Sequence, residues 1–521
     1  MKLNHASFLF IIIIITAFAL LINAGDYGVT ESSDARYAEI ARAAYVNNDY
    51  IYPKLLNIHH YHKPPFTYQI TALGYKLFGI TPFGARFFLQ LSVIIQIISV
   101  YLITAALFEN KKTALRAAVI YTSYPLVLIS SRNLTTDSFL TSFALLSIYS
   151  WILYRNKGKV LYLYLFAITA ALGFYTKGPV IFIVPAVFII GYNHITKPRN
   201  KFSVHHISAI LLFLIIALWW FAFLAWQNPD FISYFSGKQT VSRFSENVFN
   251  RNEPFWYFII LAPLTGIPWM LILPGLIKIN VKKIKKEKIY VVLAASILIP
   301  LMFFSASSSK RILYILPFYG ISAVLTAGLY QNLTKKHIKI INKVIFIYSI
   351  VVTAAIITAY FIKTDFIIHK GIIAGVILMS ALNTFIYFSG KIPFPEKPFA
   401  VTWILTLFLI IVASKIMSLN ELKINSSKPV TDFILKHNLK NRKIIIYNAR
   451  KPSIAFGLNK DIISIYDGNR DLNRETQFEK DLTWKNYLIN IKNNEETEKL
   501  DSITDLPSVF LTYKQNPENK L

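Results

Sequence analysis

The 521-residue chain contains no cysteine. Disulfides, thiol nucleophiles and thiolate metal sites are therefore excluded, and the redox state of its compartment leaves no mark on the chain. Carboxylates are also scarce, with 27 Asp and Glu against 55 Lys and Arg, and charged residues make up only 16% of the total. A soluble chain carries closer to a quarter of such residues. Apolar residues take their place: the sequence is 54% hydrophobic and 15% aromatic. Such a composition identifies a polytopic membrane protein.

Mainly apolar runs long enough to cross about 30 Å of hydrocarbon predict thirteen spans, near 8–24, 86–108, 114–131, 138–154, 160–176, 179–193, 207–226, 255–277, 289–306, 312–330, 344–362, 371–389 and 400–419. The first lacks a small-residue cleavage site and reads as a retained span. Lys and Arg dominate one set of connections, "ENKKTALR", "RNKGK", "HITKPRNK", "KINVKKIKKEK", "NLTKKHIKIINK" and "GKIPFPEK". These are assigned to the cytoplasm. The alternate set, beginning with 25–85 and including "SRNLTTD", "YTKGP", 227–254 and "SASSSKR", is assigned outside. Much of the formal charge of +28 is thus an orientation signal, and nucleic acid is not an expected partner. After the last span, "RKIIIYNA", "DIISIYDG" and "SVFLTYK" read as strands, while "VTDFILKHNL" and "TWKNYLINIKNN" read as helix-compatible. Residues 420–521 are expected to form a small soluble α/β domain on the outer side, and residues 1–419 a membrane domain that includes the outer loop 25–85.

That outer loop is far more polar than the spans around it. "SSDARYAEIARAAYVNND" predicts a short amphipathic helix at the outer surface, with Ser32 or Ser33 as N-cap and Asp34 and Glu39 in its early turns. "KPPFTYQITALGYKLFG" predicts a second. Arg36, Tyr37, Arg42, His59, His60, His62 and Lys63 are more than solvation of a loop requires. The 227–254 loop, with Arg243 and Arg251, suits a segment that closes over substrate.

Six segments then occur in order on one predicted side: "ARYAEIARAA", "YIYPKL", "HKPPFTYQITALGYKLFGITPFGAR", "LTTDSFLTSFALLSIYSW", "LGFYTKGPVIFIVPAV" and "SSSKRILYILPF". They resemble the landmarks of the GT-C class of membrane glycosyltransferases, in the bacterial branch of the lipid A aminoarabinose transferase, which is related to the protein O-mannosyltransferases. The motifs cover about residues 8–330. The resemblance implies transfer of a sugar from a polyprenyl-phosphate carrier to an envelope glycolipid, glycan or protein, with inversion at the anomeric carbon, at the outer face of a bacterial inner membrane. No cofactor is required in this reading. His59, His60 and His62 raise the question of a divalent metal, yet they have no carboxylate at ligand spacing.

Sugar transfer of this kind must neutralise a departing phosphate and remove a proton from the acceptor. Arg36, Lys63, Lys177, Lys310 and Arg311 are the cations expected at the phosphate, and Tyr37 and Tyr314 match family positions that line the donor. Where the family carries an Asp three residues before the matching Arg, this chain has Ser33. Asp34, the nearest carboxylate, is the first expected base, and Glu31 the second, since a loop before a helix cap could swing it into the same pocket. Asp137 is a third, placed to orient the acceptor or a cation, or to cap the next span. The competing reading is a transporter or flippase of lipid-linked saccharides. Such proteins concentrate ionisable residues at the bilayer midplane and carry internal repeats, whereas here the charges gather at span ends.

Overall fold

The computed structural model describes residues 5–197, 201–241, 253–362, 365–467 and 472–512; Arg243 and Arg251 lie outside them. Contacts divide the chain into two compact units, residues 1–22, 89–132 and 136–416 in one, and residues 23–88, 133–135 and 417–521 in the other. The sequence grouped loop 25–85 with the spans. By contacts it packs instead with the C-terminal segment.

The first unit is helical and membrane-spanning. Among the described residues eight helices are long and apolar enough to cross a bilayer, from Pro82–Phe108 to Phe394–Leu419, and two bent pairs raise the number to ten. The pair Lys111–Thr122 and Pro125–Arg132 bends by 60°, and the pair Tyr257–Thr265 and Trp269–Ile279 by 97°. Each break sits beside a proline, Pro125 or Pro268, whose ring forbids the helical hydrogen bond there. The other three expected spans are also helical. His5–Leu21 and the helix around 183–195 are short, and Thr136–Lys157 carries many Ser and Thr along its length.

At the centre of this unit lies the Leu316–Tyr330 helix, every residue of which is buried. Trp269 stacks on Phe399 at 5.1 Å and donates its indole N–H to Ser123 Oγ at 3.0 Å. Gly320 lets the Thr136–Lys157 helix come close, since a Cβ there would lie 2.6 Å from Leu145 Cδ2. Gly320→Val is expected to destabilise the protein by about 1–3 kcal/mol through overpacking, read as a lower thermal midpoint in detergent. An unchanged midpoint would show that Leu145 can swing away.

The second unit joins the helices of segment 25–85 to a parallel sheet. Its strand order is Leu488–Asn490, Ile463–Tyr466, Lys443–Tyr447, Ser508–Leu511, with helices in the connections, as parallel pairing demands. Ile445, Tyr447, Ile463, Ile465, Ile489 and Leu500 form its core. The segment "TWKNYLINIKNN", expected to be helical, instead supplies the Leu488–Asn490 strand, because Ser464 pairs with Leu488 and Ile465 with Ile489. The Ser33–Val46 helix forms as expected but is not a surface helix. Eleven of its residues are buried, packed against the Phe66–Phe78 and Pro452–Leu458 helices. Neither serine caps it: Ser32 stands at the N-cap without a side-chain bond.

Candidate functional site

Five of the ten expected side chains belong to the second unit. Asp34 is the most constrained of them, its side chain 0% exposed and paired with the equally buried Arg86 at 2.5 Å. Two backbone N–H groups also donate to it, Thr30 at 3.0 Å to Oδ2 and Leu134 at 3.0 Å to Oδ1. Arg86 Nη1 also donates to the carbonyls of Ala24 and Tyr27, at 3.0 and 3.1 Å, and Nη2 to that of Gly28 at 2.9 Å, while the guanidinium lies over the Tyr27 ring and its buried Nε has no partner among the described residues. A carboxylate so enclosed fixes the 24–34 backbone and has no face left for an acceptor hydroxyl. That geometry opposes the role of base for Asp34.

Glu31 is different. It is half-buried and accepts from the Ser453 hydroxyl at 2.5 Å and the Ser453 N–H at 3.2 Å. Burial pushes its carboxyl up from the ordinary 4.5, although the serine bonds and the Lys451 charge oppose the rise. A raised carboxylate pKa means the folded chain holds the proton more tightly than the unfolded chain does. The associated stability is complete below about pH 4.5 and falls as pH rises through the folded value. The thermal midpoint is therefore expected to fall as pH rises from 4.5, and Glu31→Gln to flatten that decline. A decline of equal slope in the variant would assign it to other groups.

Arg36 lies beside Ser33 Oγ at 3.4 Å and 5.8 Å from the Tyr37 ring centre. Tyr37 is buried and stacks on Tyr68 at 5.3 Å. Lys63 is half-exposed just before the Phe66–Phe78 helix. Of the three histidines, His59 Nδ1 contacts Glu479 at 2.9 Å, and the His60 and His62 rings lie 3.9 Å apart. Among the described residues no three of His, Asp and Glu gather as a metal set.

The first unit holds the other five, and it brings three of them together. Lys177 is the last residue of the Val160–Lys177 helix, stopped by Gly178 at φ 80°, a backbone region that glycine enters without strain. Its ammonium pairs with Asp137 in the first turn of the Thr136–Lys157 helix and sits 4.4 Å from the centre of the Tyr314 ring. Both charged side chains are about nine-tenths buried, so water screens this cation poorly. Lys310 is spent differently: its ammonium donates to Ser307 O at 2.6 Å and Glu253 O at 2.7 Å, a tether for the backbone. Arg311 stands beside it, half-buried, at the N-cap of the Ile312–Ile315 turn that carries Tyr314.

Sequence reasoning missed Arg86 and Ser453, and it singled out Arg42 without its partners Glu39 and Asp461. Arg42 donates to both Glu39 oxygens, at 2.7 and 2.8 Å, and to Asp461 at 3.1 Å. For Arg86 a signal existed, since an arginine at the head of an apolar run needs a partner.

Residues 62–226 match the family described as dolichyl-phosphate-mannose-protein mannosyltransferase. An undecaprenyl phosphate-alpha-4-amino-4-deoxy-L-arabinose arabinosyl transferase of Proteus mirabilis is 29% identical over 301 residues, which is 57% of this chain and 54% of that one. Another from the same organism is 30% identical over 60% of this chain and 58% of its own. The chain thus spans little more than half the length of these relatives. ArnT from Cupriavidus metallidurans in the apo state superposes with a TM-score of 0.79 at 16% identity, covering 98% of this chain and 93% of that one. The chain has the ArnT fold. A second ArnT structure, bound to undecaprenyl phosphate, matches with a TM-score of 0.76 at 17% identity over 90% of this chain and 87% of that one. The ArnT-like fold and the sequence matches together support the resemblance to the GT-C aminoarabinose transferases, in a chain that is a multi-pass helical membrane protein.

Proposed function

We propose that this chain is an inverting glycosyltransferase of the bacterial inner membrane. It moves a sugar from a polyprenyl phosphate to an envelope glycolipid, glycan or protein at the outer face. The observation that carries this reading is the buried Lys177, held between the Asp137 carboxylate and the Tyr314 ring. A leaving phosphate needs a cation fixed before the reaction begins, and a lysine locked at a helix end provides one. The relatives that act on undecaprenyl phosphate-linked aminoarabinose support that donor as the first to try. Within the first unit, Asp137 positions Lys177, and Arg311 adds positive charge for the phosphate. Glu31, whose burial favours proton uptake, is the base that fits better than Asp34. Lys310 is a tether. A reading of thirteen crossings, with the bent and short helices counted, supports an outer position for residues 420–521 as a soluble α/β domain.

Two measurements test this. The purified full-length chain in nanodiscs, given undecaprenyl phosphate-linked aminoarabinose and lipid A, is expected to release undecaprenyl phosphate and yield a product with inverted anomeric configuration by NMR. Donor that stays intact but crosses the bilayer would establish the flippase instead. Reporters fused after residue 420 are expected to read outside, and those within 278–288 inside. A cytoplasmic C-terminal reporter would overturn the assignment.

A further inference from the structure

Away from the charged centre, the first unit carries a groove of about 380 Å³ between the Trp269–Ile279 and Lys335–Phe361 helices. Its walls are apolar, formed chiefly by Leu271, Ile272, Ile279, Ile340 and Val344. Four of these are about half exposed: Leu271 at 56%, Ile279 at 45%, Ile340 at 53% and Val344 at 44%. Gly275 lies in the wall, and a Cβ added there would meet open space. From Pro268 to Ile279 the wall runs roughly 16 Å at 1.5 Å per residue, about one leaflet of a 30 Å hydrocarbon core. One end has a marked charge. Ile279 leads straight into the lysine segment, and His337 of the opposite wall is flanked by another. Segments 278–288 and 335–343 hold ten lysines and a single carboxylate, Glu287. Glu287 engages Lys283, and the other nine lysines are exposed.

We propose that this groove is a binding site for an anionic phospholipid, with one acyl chain along the Gly275 wall and its phosphate at the lysine rim. An uncharged lipid would fill the apolar wall equally well but would leave the lysine rim without a counter-charge, so charge complementarity selects an acidic headgroup. The inference does not depend on the sugar-transfer reading.

The test is native mass spectrometry of the full-length protein released from detergent after incubation with phosphatidylglycerol or phosphatidylcholine. The wild type is expected to retain phosphatidylglycerol at least tenfold more tightly than phosphatidylcholine. Gly275→Trp fills the groove without a backbone clash and is expected to weaken phosphatidylglycerol binding about tenfold with its thermal midpoint preserved. The triple variant Lys278→Gln, Lys282→Gln, Lys336→Gln is expected to retain both lipids equally. Equal retention of both lipids by the wild type, unchanged binding in the folded Gly275→Trp protein, or a lipid-free dimer in place of the lipid adduct would overturn the proposal. If Gly275→Trp does not fold, the lysine triple decides alone, and an undiminished preference there refutes the site.

Discussion

Replacing Lys177 with alanine is expected to cut sugar transfer by roughly 30- to 1000-fold, the equivalent of about 2–4 kcal/mol of lost transition-state stabilisation. The ammonium is poorly screened, it is fixed by Asp137 and the Tyr314 face, and no water can replace it without reorganising at the moment the phosphate departs. The deficit belongs in the chemical step, so single turnover with saturating donor should show it in full. Asp137→Asn frees the lysine without removing it, and should cost less than Lys177→Ala while raising the donor concentration needed for half-saturation. Wild-type turnover in a folded Lys177→Ala protein would remove this lysine from the phosphate site. A lowered thermal midpoint with normal turnover per folded molecule would make the pair a packing device.

Asp34→Asn is expected to damage the fold more than the chemistry. It leaves the Arg86 guanidinium, wholly buried in the second unit, without its counter-charge. Removing one partner of a buried pair typically costs about 3–5 kcal/mol, a large share of the roughly 5–15 kcal/mol that holds a domain together. Loss of monodisperse protein, or a thermal midpoint lowered by several degrees, is the expected reading. The double variant Asp34→Asn, Arg86→Gln removes both charges and should recover part of the loss, because neither charge is then buried alone. A folded Asp34→Asn protein with transfer reduced a hundredfold or more would restore Asp34 as the base and displace Glu31.

The helices were legible because a membrane imposes one strong periodic demand. Thirteen apolar runs contain helix at all thirteen positions, yet run length alone does not register a bend. The prolines at 125 and 268 marked where two spans break, and only the structure gives the 60° and 97° that follow. The strand at Leu488–Asn490 was hidden because three residues have no readable period. Its identity comes from pairing with Ile463–Tyr466. The chemical residues were legible as types and not as partnerships. Asp34 and Arg86 lie 52 positions apart, and Glu31 and Ser453 lie 422 apart. Nothing local in "ESSDAR" distinguishes a carboxylate sealed by a distant arginine from one facing a substrate. Lys177 was easier, since its helix end is marked by the glycine that follows.

The second unit is assembled from three pieces of chain, and between Phe88 and Met417 it takes only Asn133–Thr135. The ribosome makes the first piece early and the last piece late. At about 5–20 residues per second, the roughly 330 intervening residues take on the order of 15–65 s to synthesise. Throughout that interval Glu31 has no Ser453, Arg42 lacks Asp461, and the inner face of the Ser33–Val46 helix has no Pro452–Leu458 helix to cover it. The nascent protein therefore carries an unfinished apolar and charged surface while its later spans are still being inserted, and a chaperone that shields that surface would act on the growing chain rather than on the released one.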